Sequence, residues 1–307
     1  MVKRLIHPIA VILLALFNLT AVAAVASAET RAGAQIQGQA DSSGDSYIEK
    51  PRWEVGVAAA AIGVPAYPSS SVTNDRGFVV PWFIYRGDTI RLREGGLQVI
   101  ALENKRLTLG LSLGGSLSAN SDITPLREGM PNLDYLFEFG PQLDYRIWDR
   151  ELGGGERSRL NWQTSLRAAV STDFSAFRSR GLVLSSEVSY RRDNILGTRA
   201  TVFLSAGPTW AAEKFMDFFY QVDPQFVTAQ RAAFDAEPGY LGTDLVFGLS
   251  THFSERLQGF IGLGTSLHDG AANNDSPLFE DSSTHAAVIG LSWQLKKSRR
   301  SVRVLDE

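Results

Sequence analysis

Leucine alternates with small or polar residues along much of this chain. Over 106–117, Leu107, Leu109, Leu111 and Leu113 interleave with Thr108, Gly110, Ser112 and Gly114. Over 133–148, Leu133, Tyr135, Phe137, Phe139, Leu143, Tyr145 and Ile147 oppose Asp134, Glu138, Gln142, Asp144 and Arg146. The same rhythm returns at 241–253 and 285–295. Period-two alternation is the signature of a strand with unlike surroundings on its two faces. The pattern predicts about 12 strands: 53–62, 79–85, 89–94, 97–102, 106–117, 133–148, 158–171, 181–191, 199–210, 241–253, 257–267 and 285–295. The third and fourth are short, so 10 is the alternative count.

Charges fall on the small-and-polar face and large aliphatics on the other. A soluble barrel would put its apolar face inside. A transmembrane antiparallel β-barrel explains both faces at once, with lipid outside and a polar lumen within. A soluble sandwich with one wet face would also alternate, and connection lengths help to decide. Short turns at 86–88, 192–198 and 254–256 contrast with long loops at 63–78, 118–132, 211–240 and 268–284. That asymmetry is the outer-membrane pattern, and an even strand count returns both ends to the periplasm. Trp53, Trp82, Trp148, Trp210 and Trp293 near strand ends suit interfacial girdles. In 211–240, Phe215, Phe218, Phe219, Val222 and Phe226 recur at helical spacing. A partly helical loop is expected there, either folded over the lumen or packed outside it.

The N-terminus carries Lys3 and Arg4, an apolar stretch over 9–17, and Ala26-Ser27-Ala28. This is the layout of a secretory signal peptide (1–28) cleaved after Ala28. Its apolar core is shorter than the roughly 20 residues of a spanning helix. Residues 29–50, rich in Gln, Ser, Gly and Asp, read as a flexible periplasmic lead-in. The barrel is expected over 51–295, followed by a basic tail, 296–307, with Lys296, Lys297, Arg299, Arg300 and Arg303. A solvated end is the simplest reading of that tail, and contact with anionic murein or an acidic protein is the other. The chain has no cysteine, so an exported fold must hold without disulfides, as a closed barrel does. A formal net charge of −3 gives no indication of nucleic acid.

Several ordered stretches resemble one family. They are Trp53-Glu54-Val55-Gly56-Val57 with Ala66-Tyr67-Pro68-Ser69, and Pro81-Trp82-Phe83-Ile84-Tyr85-Arg86-Gly87-Asp88. Next come Leu126-Arg127-Glu128-Gly129-Met130-Pro131, and Phe137-Glu138-Phe139-Gly140-Pro141. The last are residues 236–242 and Asp275-Ser276-Pro277-Leu278. Spread over about 50–295, they resemble the MipA/OmpV family of outer-membrane proteins. The resemblance implies a barrel in the cell outer membrane of a Gram-negative bacterium. It implies a scaffold joining a periplasmic lytic transglycosylase to a penicillin-binding peptidoglycan synthase. Other members resemble adhesins, antigens or small-solute channels. No catalytic motif goes with the family, so no functional residue is carried over. Family members often end on an aromatic at the last strand, whereas here a twelve-residue tail follows Leu295.

Candidate chemistry is sparse. The expected lumen face carries Glu54, Asp134, Glu138, Asp144, Arg146, Arg167, Glu187, Arg191 and Asp244. Opposed charges could set up a transverse field that filters solutes. Mixed charges that can pair usually do, so a polar plug of mutually paired side chains is the preferred expectation. Ser250, His252 and Asp244 lie along one strand, but residues i and i+2 stand about 7 Å apart, too far for a ready-made triad. His268 and His285 flank a loop with Asp269 and Asp275, without a recognisable ligand spacing. No Walker loop or dinucleotide fingerprint is present. The expectation is a barrel with no cofactor and no catalytic residue, embedded in outer-membrane lipid. Its function is expected to be that of a scaffold, with a small-solute channel as the alternative.

Overall fold

The structure is a computed structural model that describes residues 47–86, 90–93, 96–99, 102–103 and 106–305. The cleavage expected after Ala28, and the lead-in up to residue 46, lie outside the described residues. The described strands are β1 (Tyr47–Pro51), β2 (Trp53–Pro65), β3 (Thr73–Arg86), β4 (Ile90–Arg93), β5 (Gly96–Val99), β6 (Leu102–Glu103) and β7 (Leu107–Ser116). They continue with β8 (Tyr135–Gly153), β9 (Glu156–Thr172), β10 (Phe177–Asp193) and β11 (Ala200–Ala211). Helix α1 (Glu213–Tyr220) precedes β12 (Gly239–His252), β13 (Leu257–Leu267), β14 (Ser283–Lys297) and β15 (Ser301–Leu305).

One curled antiparallel sheet holds all of these strands except β1 and β15, in the order β5-β4-β3-β2-β14-β13-β12-β11-β10-β9-β8-β7-β6. The pairing of β2 with β14 joins the two ends of the chain's wall, from Gly63 opposite Ala287 down to Glu54 opposite Lys297. Ten strands, β2, β3 and β7 to β14, are long enough to cross a bilayer; the shortest, β7, has 10 residues. At about 3.3 Å per residue and a tilt near 45°, that length spans roughly 25 Å. The lower of the two expected counts therefore describes the wall. The segments expected at 89–94 and 97–102 are only four described residues each, and β5 lies beside β7 where the sheet turns back on itself.

The outward face is the greasy one. Val79, Phe139, Leu182, Leu204, Leu263, Ile289, Leu291 and Trp293 are all exposed, at 43–68 % of their full surface. Their strand neighbours Val80, Glu138, Val183, Ser205, Val288 and Ser292 are buried. In water such a continuous apolar belt would be a severe liability; in hydrocarbon it is the matching surface.

Turns at one rim are short. Gly154 and Gly155, both at positive φ, close the β8–β9 hairpin, where a side chain would be strained. This hairpin runs further than the sequence pattern suggested, through 149–157. At the same rim, β1 and β15 form their own two-stranded ladder, Tyr47 opposite Leu305 and Pro51 opposite Ser301. Residues 47–50 of the expected lead-in and 301–305 of the expected tail are thus strand-paired. The Arg52 amide donates to the Arg300 carbonyl and Ser298 to Trp53, which continues the β2–β14 seam outward.

Candidate functional site

The long loops of the opposite rim fold together into a cap. Helix α1 is only eight residues long, too short to persist alone. It forms because Phe215, Met216, Phe218, Phe219 and Tyr220 are all buried. They pack on Tyr67, Ala119 and Leu133 of neighbouring loops and on Leu136, Ala169 and Val183, which face into the barrel mouth from β8, β9 and β10. Each large side chain taken out of water contributes roughly 1.5–3 kcal/mol. The 211–240 segment therefore folds over the lumen.

Buried polar groups tie the loops to one another. Arg127 donates to the Phe219 carbonyl at 2.9 Å and stacks over the Tyr67 ring at 5.8 Å. Burial lowers its pKa to about 10, so it remains charged at neutral pH. Arg231 donates to the Leu126, Glu128 and Phe226 carbonyls. The Tyr67 hydroxyl lies 2.7 Å from the Leu278 carbonyl and 2.9 Å from Glu280 Oε1, and burial with this carboxylate raises its pKa. Tyr220 donates to the Pro68 carbonyl at 3.0 Å. His268 is fully engaged: Nδ1 donates to the Leu241 carbonyl at 3.0 Å, and Nε2 accepts the Ser69 amide at 3.2 Å. Four of the stretches that carry the family resemblance, around Tyr67, Arg127, Gly239 and Ser276, meet in this cap.

Inside the barrel, the candidate charges sort into clusters. Arg167 reaches Glu138 at 2.8 Å and donates to Ser165 and Ser185 at 2.9 and 3.1 Å. Asp144 accepts from Gln142. Arg146 and Arg157 converge on Asp149, at 3.7 Å and 2.6 Å. Arg191 and Arg159 converge on Asp193, which also accepts from Thr201. Glu54 is bound by Arg86 at 2.6 Å and by the Gln294 amide. Asp244 accepts from Ser266. Asp134 sits at the rim rather than in the lumen, paired with the half-exposed Arg178 at 3.2 Å. Glu187 stands apart, with no hydrogen-bond or salt-bridge partner among the described residues. The sequence reading missed Asp149, Arg157, Arg159 and Asp193. Arg159 lay within the expected strand 158–171, whereas Asp149, Arg157 and Asp193 fall where β8, β9 and β10 run past the expected strand ends.

The opposite wall is apolar. Ile62, Phe203, Phe260 and Val288 are buried at 5–8 % exposure and pack with Phe78 and Val246. They form an apolar side of the lumen. Beneath the cap lies a cavity of about 730 Å³. Its roof includes Tyr67 and Pro68, one wall carries Gln163, Arg167 and Glu187, and the other carries Ile62, Val246 and Val288.

The candidate catalytic set does not assemble. Asp244 is opposite Ser266 and Ser250 opposite Phe260, six residues and about 20 Å apart along β12. The Ser250 hydroxyl is buried without a hydrogen-bond partner. His285 lies on the outer face beside Thr265, away from the buried His268. Among the described residues, no group of three or more His, Asp or Glu is placed to hold a metal ion.

Comparison with solved structures finds outer-membrane barrels at low identity. The NanC porin is 10 % identical, with a TM-score of 0.38 over 77 % of this chain and 100 % of that one. The channel DcaP of Acinetobacter baumannii is 10 % identical, with a TM-score of 0.31 over 85 % and 100 %. Outer membrane phospholipase A of Escherichia coli is 10 % identical, with a TM-score of 0.30 over 89 % and 97 %. A search of curated proteins matches none. The family model described as MltA-interacting protein MipA matches residues 55–295, and with its lipid-facing belt of ten strands the chain belongs to that family, as a barrel of the outer membrane.

Proposed function

We propose that this barrel is a non-enzymatic scaffold that engages murein synthesis and remodelling enzymes from the periplasmic rim. The observation that carries the reading is the β1–β15 ladder, which continues the β2–β14 seam outward and is flanked by exposed Lys296, Lys297, Arg299 and Arg300. A two-stranded sheet with free edges and a basic flank suits an acidic protein surface or an added strand. The family description, which names interaction with MltA, supports a lytic transglycosylase as one partner, and the second partner in this reading is a penicillin-binding protein. The cap packed over one mouth of the barrel also supports it, because transport needs a continuous path.

Pull-down of the mature protein from membranes tests the reading. A lytic transglycosylase and a penicillin-binding protein should be retained, and replacing Lys296, Lys297, Arg299 and Arg300 by serine should release them. Recovery of neither enzyme, under conditions that preserve a control complex, counts against the scaffold. The cavity with its charged wall favours a second reading, a small-solute channel. Planar-bilayer recording separates the two. Silence is expected, whereas steady conductance whose ion selectivity shifts in Arg146→Ala or Arg167→Ala would replace the scaffold with the channel.

A further inference from the structure

The cavity beneath the cap has two unlike walls. On β11 to β14 and β2 it is hydrocarbon: Ile62, Phe203, Val246 and Val288. On β10 and β12 it presents the carboxylates Glu187 and Asp244. The nearest lining cation, Arg167, is already bound to Glu138 at 2.8 Å. His268 accepts the Ser69 amide at one nitrogen and donates to a carbonyl from the other, the hydrogen bonding of a neutral ring. Asp244 accepts from the Ser266 hydroxyl, and Glu187 has no hydrogen bond or salt bridge among the described residues.

Register explains how the two acids share a level. Gly207 of β11 is opposite Asp244, and Ser185 and Val188 of β10 flank Glu187 at Thr209 and Ala206. Glu187 and Asp244 are thus two strand spacings apart, about 10 Å between backbones, with glycine between them. A Cβ at Gly207 would lie 2.1 Å from the Ser186 carbonyl and 2.5 Å from Glu187 Cα, so only glycine lets β10, and Glu187 with it, pack this closely against β11. Two carboxylates at one level with no cation between them repel each other, and a cation placed between them lowers that cost. Metal ions and water would satisfy the acids but leave the apolar wall uncovered. A volume of about 730 Å³ is that of a small-molecule site rather than an ion site.

We propose that this cavity binds an organic ammonium compound, its amine between Glu187 and Asp244 and its hydrocarbon body against Ile62, Phe203, Val246 and Val288. The proposal does not depend on the scaffold role, which concerns the other end of the barrel.

Dansylcadaverine, a fluorescent naphthalene carrying one primary amine, is the probe, added to the full mature barrel in lipid nanodiscs. Saturable, blue-shifted emission above protein-free discs is expected. Glu187→Gln/Asp244→Asn should weaken binding at least tenfold. Gly264→Leu should do the same by filling the apolar side, since a Cβ there meets only the Ala286 methyl, at 3.6 Å. Dansylated 6-aminohexanoate, with a carboxylate in place of the amine, should not saturate. Heat-modified mobility on gels confirms that each variant is folded, and if one variant misfolds the other decides. Absence of saturable binding to the wild type, equal binding of the carboxylate probe, or wild-type affinity in the folded variants overturns the proposal.

Discussion

Replacing Arg127 by methionine isolates the charge that holds the cap, because methionine keeps most of the buried stem's bulk. Three attractive contacts go: the charge-assisted bond to the Phe219 carbonyl at 2.9 Å, the stacking over Tyr67 at 5.8 Å, and a long, weak bond to the Pro131 carbonyl at 3.4 Å. The first is worth roughly 1.5–3 kcal/mol and the second roughly 0.5–2 kcal/mol. Removing the charge also removes the cost of burying it, which is what pulls its pKa down to about 10. The net loss in cap docking is therefore about 2 kcal/mol, or roughly a thirtyfold larger population of the open cap. Hydrogen exchange in nanodiscs reads this directly. Amides of α1 should exchange about thirtyfold faster in Arg127→Met, while those of β12 to β14 keep their wild-type protection. Unchanged exchange in α1 would refute the claim that Arg127 anchors the cap. Uniform loss of protection through the barrel would refute the claim that cap and wall open separately.

Arg167→Met should destabilise the barrel by about 3–5 kcal/mol in urea unfolding from lipid vesicles, since Glu138 is left charged and buried, and adding Glu138→Gln should recover much of the loss. Leu263→Arg on the outer face should cost roughly 2–4 kcal/mol in the same assay, against less than 1 kcal/mol if that face met water. The Asp173 carboxyl accepts from the Ser175 hydroxyl and from the Ser175 and Ala176 amides, which hold its pKa at about 2. Its contribution to the β9–β10 turn is thus complete above the ordinary carboxylate pKa near 4 and is lost as pH falls through about 2. An NMR titration placing that carboxyl near 4 would contradict the turn geometry. A Lys50→Cys/Val302→Cys pair should cross-link under mild oxidation, because the two residues are direct partners in the β1–β15 ladder; absence of the cross-link in folded protein would contradict that ladder.

The alternation of aliphatic and polar side chains is a local property of a strand, and it determined most of what this sequence says by itself. Leu109, Leu263 and Ile289 could be placed on the lipid face, and Glu138 and Arg167 on the other, because adjacent residues of a strand point to opposite faces whatever they pair with. The helical run around Phe215 and Phe219 was legible for the same reason. What it packs against was not, because Arg127 and Phe219 are 92 residues apart and only closure of the barrel brings their loops to one rim. The wall of ten strands rather than twelve, the pairing of β1 with β15 and the extended β8–β9 hairpin likewise depend on which backbones find partners. So does the cavity: Glu187 and Asp244 are 57 positions apart in the chain, and a shared level opposite an apolar wall follows from strand register, which no local pattern encodes.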